Sequence, residues 1–247
     1  MFERMKPLLR SALILSALAV GLSACGKAPR ESGINDPFEA RNRSVHAFNK
    51  ALDKAILKPA SKVYGSVARG PIATGVDNFA SNLSLPNAVL NDLLQVRLGA
   101  ALQNTARFAL NSTFGLGGLL DVATQNGLAE RPTGFGETLY VWGFHEGSYV
   151  ELPVFSASTQ RDTVGLAVDF IINPTNILLT GTQSNVATLA QILKKADARN
   201  KYSDLVDSVL YGSADSYAQN RLLYLQSRRH ELYGSISESD LEDPYAE

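Results

Sequence analysis

The chain has 247 residues, 45% of them hydrophobic, with a formal net charge of −1 and one cysteine. That length accommodates one large domain or two small ones. The near-neutral balance excludes a protein that holds nucleic acid through phosphate contacts, and a single thiol excludes an internal disulfide framework.

Arg4, Lys6 and Arg10 give a positive opening, and Ser11 to Leu22 form an apolar run of twelve residues. Such a run is too short to span a bilayer and fits the core of a secretory signal. Leu22-Ser23-Ala24-Cys25 closes it as a lipobox, the pattern at which bacteria attach a diacylglycerol to the thiol and cleave just before it. Residues 1–24 are thus expected to be a lipoprotein signal peptide and Cys25 the lipid attachment site. Gly26 follows, not Asp, so the common inner-membrane retention signal is absent and the outer membrane is favoured. Cleavage would remove three basic residues and Glu3, taking the net charge from −1 to about −3.

Residues 25–34 read as a tether, and residues 35–233 as a single helical domain. Asp36, Pro37 and Glu39 predict a helix start with Asp36 as N-cap. Val45, Phe48, Leu52 and Ile56 recur at helical spacing, and Pro59 and Gly65 are expected to break the segment. Pro71 opens a second helix with Ile72, Val76, Phe79 and Leu83 on one stripe; Pro86 is expected to start a third carrying Val89, Leu90, Leu93 and Leu94. Another is expected over residues 96–110, using Leu98, Leu102 and Phe108.

Asn111 to Gly118 interrupts the pattern with a Gly-rich turn, and residues 119–126 resume helix until Gly127. Residues 130–157 hold no sustained period, so Leu139 to Trp142 and Tyr149 to Leu152 are expected to be extended or loop-like. Thr159 and Asp162 cap a helix carrying Val164, Val168 and Ile171 that stops near Pro174. A long amphipathic helix is expected over 185–211, with a bend near Asn200, and another over 213–233. Residues 234–247 form an acidic tail expected to be disordered. The predicted fold class is all-α.

Charge is unevenly spread. Residues 26–62 carry twelve charged side chains and 194–247 carry seventeen, whereas 70–129 carry only Asp77, Asp92, Arg97, Arg107 and Asp121, and 163–193 only Asp169. Helices so poor in charge either pack into a large core or face something other than water. Pro, Gly and Asn interrupt both stretches, so neither offers a simple membrane span.

Motifs for catalysis are missing. His46, His145 and His230 lie far apart with no HExxH, and there is no G-x-S-x-G nucleophile elbow. Gly115-Leu116-Gly117-Gly118 lacks the third glycine and the preceding strand of a dinucleotide loop. Neither a cofactor nor a metal is expected, and the chain is not expected to be an enzyme.

Several blocks in order resemble the MlaA (VacJ) family of outer-membrane lipoproteins. They are Asn35-Asp36-Pro37-x-Glu39 with Asn42-Arg43, Phe48-Asn49 with Leu52-Asp53, and Asn82-Leu83 with Pro86. Then come Arg107-Phe108-x-x-Asn111-Ser112-Thr113-x-Gly115-x-Gly117-Gly118-x-x-Asp121, Phe135-Gly136-x-Thr138-Leu139, Trp142-Gly143, Leu152-Pro153 with Arg161-Asp162, and Asp215-x-Tyr217-x-x-x-Arg221 with Tyr224. The chain departs from the pattern at Leu85, where an acidic residue is expected, at Gly134 (Asp) and at Ser148 (Pro).

The resemblance implies a ring-like arrangement of amphipathic helices lying in the membrane, with short irregular segments around a central channel. It implies phospholipids, the outer membrane, trimeric porins and the periplasmic lipid carrier MlaC as partners. Misplaced outer-leaflet phospholipid would descend through the channel to that carrier, preserving outer-membrane asymmetry. Non-helical backbone at membrane depth is tolerated where it lines a cavity, so Asn111, Phe114, Gly115, Leu116, Gly117 and Gly118 are candidate channel lining, with a plain tight turn as the alternative. Bulky residues at Gly115 or Gly117 would then impair lipid removal while protein level survives. Phe48, Asn49, Tyr217 and Arg221 are motif positions, for which core packing, helix surface or a polar-aromatic helix rim are the simpler readings. A structural lipoprotein that binds porins or the cell wall without moving lipid, and a tethered periplasmic hydrolase, stand as the other classes.

Overall fold

The computed structural model describes residues 33–234. The signal segment, Cys25 and the acidic tail from residue 235 on lie outside the described residues.

The first helical rod is longer than its prolines suggest. Helix α1 (Glu39–Leu52) passes through a π turn (Asp53–Leu57) into α2 (Lys58–Val67) without a break. Pro59 lacks an N–H and needs room beside the carbonyl four residues back, and the wider π turn lies there. Gly65 marks a close approach rather than a stop: a Cβ on it would stand 2.2 Å from Asn200 Nδ2. Asp36 does not cap α1. Phe38 holds that position without a side-chain bond, and the Asp36 carboxylate is engaged elsewhere.

Helix α3 (Pro71–Leu94) likewise runs straight through Pro86, where a second start was expected. Neighbouring side chains bond the carbonyls of the preceding turns: Gln191 Nε2 donates to Ala80 O at 2.8 Å and Thr175 Oγ1 to Leu83 O at 2.7 Å. Helix α4 (Leu98–Thr113) packs along α3 and includes Asn111, so the turn begins at Phe114. The short α5 (Val122–Gln125) follows.

Residues 139–141 are helical, not extended, within α6 (Phe135–Val141). Seven residues are too few to display a period, and the capping group is remote, for Asp169 Oδ2 accepts from Phe135 N at 2.8 Å. Strands β1 (Tyr149–Leu152) and β2 (Ser156–Thr159) form an antiparallel hairpin with Tyr149 opposite Thr159 and Leu152 opposite Ser156. It is a small addition to an otherwise all-α fold.

Helix α7 (Gln160–Ile172) has the expected cap, Thr159 accepting from Asp162 N. The short α8 (Pro174–Leu178) follows, and α9 (Thr182–Lys201) packs against α2 and α3. Instead of one helix to Tyr211, α9 stops at Tyr202, and α10 (Ser203–Asp207) leads into a second π turn (Ser208–Gly212). Helix α11 (Ser216–Tyr233) is capped by Asp215, which accepts from Ala218 N.

The main surprise is which way these helices face. Helix α3 buries Ala73, Ala80, Asn82, Leu85, Ala88, Asn91 and Asp92, while Ile72 and Leu93 are exposed. Helix α4 buries Ala100, Ala101, Asn104, Arg107 and Asn111, leaving Leu98 and Leu102 66% and 72% exposed. Helix α7 buries Arg161, Asp162 and Gly165 under exposed Val164, Phe170 and Ile171. Among the described residues twenty buried side chains are polar or charged against sixteen apolar, and eight of those sixteen are alanine. A buried set this polar is unusual, and many of the large apolar side chains face outward. Its apolar clusters are small, Tyr140 with Leu232 and Tyr149 with Tyr217 and Leu225. No helix among the described residues is long and apolar enough to cross a membrane.

Candidate functional site: a charged cavity inside an apolar shell

Between α3, α6, α7 and the start of α4 lies an open cavity of about 790 Å³ lined largely by polar and charged residues. Its wall takes Asp92 from the last turn of α3, Arg97 from the α3–α4 connection, Arg131 and Glu137 from the α6 region, and Ser158 from β2. Asp162 and Asp169 come from α7, and Tyr224, Arg228 and Glu231 from α11; Ala157 and Leu166 supply apolar wall. Volume and mixed lining fall within the roughly 300–1,000 Å³ of ordinary ligand sites.

Two glycines let the cavity-forming helices meet. A Cβ on Gly165 of α7 would stand 2.3 Å from Gly136 N of α6, and one on Gly136 would meet Asp162 Oδ1 at 2.5 Å. That approach places the α6 N-terminus on Asp169, which also accepts from Asn87 and Asn91 at 2.9 Å. Asp162 is held by Arg228 (Nε 3.1 Å, Nη2 3.0 Å) and Tyr224 Oη (2.8 Å). Burial alone would raise the Asp162 carboxyl, but the Arg228 bonds and charge outweigh it and hold the group below the usual carboxylate range. Across the wall Arg97 Nη1 meets Glu137 Oε1 at 2.5 Å. Asp92, 2% exposed, accepts from Asn104 Nδ2 at 2.7 Å, and Asn104 also donates to Arg131 O at 3.1 Å.

The positions singled out by motif lie elsewhere. None of Asn111, Phe114, Gly115, Leu116, Gly117 and Gly118 lines this cavity; Asn111 borders a much smaller polar pocket with Arg107 and Asp121. Phe114 and Leu116 are each 70% exposed on the outside. The Arg107–Asn111–Asp121 block ties the turn shut. Asn111 Nδ2 donates to Asp121 Oδ1 (3.0 Å), its Oδ1 accepts from Ala123 N (2.9 Å), and Arg107 donates to Thr124 Oγ1 (2.9 Å), Asp121 and Leu128 O. Gly115 is packed and Gly118 sits against Asn82.

Phe48 is exposed and packs in no core, whereas Asn49 latches the hairpin by donating to Leu152 O (2.9 Å) and accepting from Val154 N (2.8 Å). Tyr217 and Arg221 both donate to the buried carboxylate of Asp36. Beside them Asn42 Nδ2 donates to Asp36 (2.9 Å) and Tyr149 O (3.1 Å), and His46 bridges Glu151 and Ser216. This belt joins α1, β1 and α11. Among the described residues no three His, Cys, Asp or Glu side chains converge as metal ligands.

The wall residues carry no motif that names them, yet a signal was present. Of the six charges in the two charge-poor stretches, Asp92, Arg97 and Asp169 line the cavity and Arg107 and Asp121 build the loop knot. Isolated charges in an otherwise uncharged stretch point to side chains with partners inside the fold.

An all-α fold with exposed apolar helix faces and a charged cavity sets the chain apart from domains built on one large apolar core. The family profile described as MlaA lipoprotein matches residues 34–231, and the chain belongs to that family. It is 32% identical over 234 residues to the intermembrane phospholipid transport system lipoprotein MlaA of Escherichia coli, covering 92% of this chain and 90% of that one. It is 34% identical to the protein of the same name from Haemophilus influenzae (65% and 68% covered), and 33% identical to an uncharacterised Rickettsia typhi protein (76% and 74%). It is also similar to a solved structure described as a structural basis for maintenance of bacterial outer membrane lipid asymmetry. There the TM-score is 0.67, at 31% identity, covering 80% of this chain and 98% of the other.

Proposed function

We propose that this chain is an outer-membrane lipoprotein that extracts mislocalised phospholipids from the outer leaflet through its cavity and hands them to the periplasmic carrier MlaC, beside trimeric porins. In this reading Cys25 carries the anchor, the body beds into the membrane from the periplasmic side, and its ring of helices closes around the lipid path. The observation that carries it is the inverted polarity of the helices, apolar outside and charged within. A phospholipid in transit needs polar groups for its head and apolar surface for its tails, and the wall offers Arg131 and Asp92 beside Ala157 and Leu166. Exposed apolar faces without a spanning helix suit a protein that lies in one leaflet. No bond is broken in this task and no cofactor is called for.

Deleting the gene should raise outer-leaflet phospholipid at the cell surface, and the intact gene should restore it. Leu166→Trp narrows the cavity without touching its ion pairs, so the variant should reach normal level in the membrane yet fail to restore asymmetry. Full restoration by a stably expressed Leu166→Trp protein would remove the cavity from the lipid path.

A further inference from the structure

The charges on the cavity wall are not evenly matched. Arg97 is taken by Glu137, and Arg228 by Asp162 and Glu231. Asp92 and Asp169 have only neutral partners, Asn104 for the first and Asn87, Asn91 and the Phe135 N–H for the second. Arg131 acts on Asp92 through space but makes no hydrogen bond or ion pair among the described residues. After internal pairing the wall retains two carboxylates without a bonded cation and one guanidinium without a bonded anion.

We infer that the cavity selects phospholipids whose headgroup carries an ammonium beside its phosphate over phospholipids whose headgroup is anionic, with Arg131 taking the phosphate and Asp92 and Asp169 the ammonium. An anionic head can satisfy Arg131 but leaves both carboxylates facing a negative ligand in a partly desolvated wall, where like charges repel strongly. A zwitterion satisfies both signs, and an ammonium with N–H donors can bond the carboxylate oxygens directly. Burial raises the Asp92 carboxyl, with the Asn104 bond and the charge of Arg97 offsetting only part of that, as expected of a carboxylate without a bonded cation. The inference rests on the reading that the cavity carries phospholipid.

The test uses the full chain in detergent, incubated with equimolar phosphatidylethanolamine and phosphatidylglycerol of identical acyl chains, with co-purified lipid counted by mass spectrometry. The ethanolamine lipid should be enriched roughly tenfold, the ratio given by one partly screened charge interaction. Asp92→Asn should bring that ratio toward one without lowering total lipid. Arg131→Gln should lower total lipid and raise the ratio, since the anionic lipid loses its single attraction. A wild-type ratio of one, or a preference for phosphatidylglycerol, overturns headgroup selection and leaves the lipid path standing; binding of neither lipid overturns both. If Asp92→Asn does not fold, the wild-type ratio and Arg131→Gln decide.

Discussion

Single residues in this protein are placed more by their neighbours than by their type. A Cβ on Gly115 would stand 2.2 Å from Leu120 O and 2.4 Å from Asn111 O, both backbone atoms that cannot yield cheaply. Gly115→Ala should therefore cost roughly 3 kcal/mol and lower the amount of folded protein. Gly117 has φ +75° and nothing within 4 Å, so Gly117→Ala should cost only about 1 kcal/mol of backbone strain. Thermal unfolding of both variants in detergent checks the order; equal midpoints would contradict it. The departures from the family pattern also make local sense. Gly134 leaves room for Asp169, since a Cβ there would approach its Oδ2 to 2.8 Å, and Asp169 caps α6 in place of a residue at 134. Ser148 keeps an N–H that donates to Gln160 Oε1 at 3.1 Å, a bond proline could not make. Leu85 is buried in α3, and nothing in the structure calls for an acid there.

Among the elements, one dense polar joint ties the first rod to α9 and α10. Arg199 bonds Asp53 at 2.8 and 2.9 Å and Asp207 at 2.6 Å, Tyr211 Oη donates to Asp53 at 2.8 Å, and Lys58 meets Asp207 at 2.6 Å. Burial would raise Asp53, but Arg199 and Tyr211 outweigh it; Lys58 and Arg199 lower Asp207. Both folded carboxyls thus lie below the ordinary value of 3.8. Their stabilisation is complete above that value and is lost as pH falls through the folded pKa values. The unfolding midpoint in detergent should drop steeply below about pH 4. Asp53→Asn should cost about 3 kcal/mol at neutral pH, because Arg199 is left underpaired, and should flatten the acid limb. An unchanged acid limb would mean the clamp does not couple these helices. The starts of α7 and α3 were legible because Thr159 with Asp162 and Pro71 are local signals. Helix α6 was not, since its cap comes from Asp169 in a later helix, and the run through Pro86 was not, since a proline reads locally as a helix start or break.

At the scale of the whole molecule, the exposed apolar faces make a prediction about the anchor. Acylation gives only part of a membrane attachment, and buried apolar area adds to it. A Cys25→Ala protein exported on a cleavable signal should still require detergent to remain monodisperse, since Phe170, Ile171, Ile177 and Leu178 are each at least 62% exposed. A single sharp species on gel filtration without detergent would show that the body has no need of lipid. Composition, lipobox, helical periods and ordered motif blocks were by themselves enough for the expected address, the all-α class and the family. The direction each helix faces was decided only by the tertiary structure. Periodicity says that a helix has an apolar stripe, but a stripe can be covered by a protein core or by lipid, and the spacing is the same for both. Likewise the lone charges Asp92, Arg97 and Asp169 are far apart in sequence, and only the packing of α3, α4, α6 and α7 gathers them around one cavity.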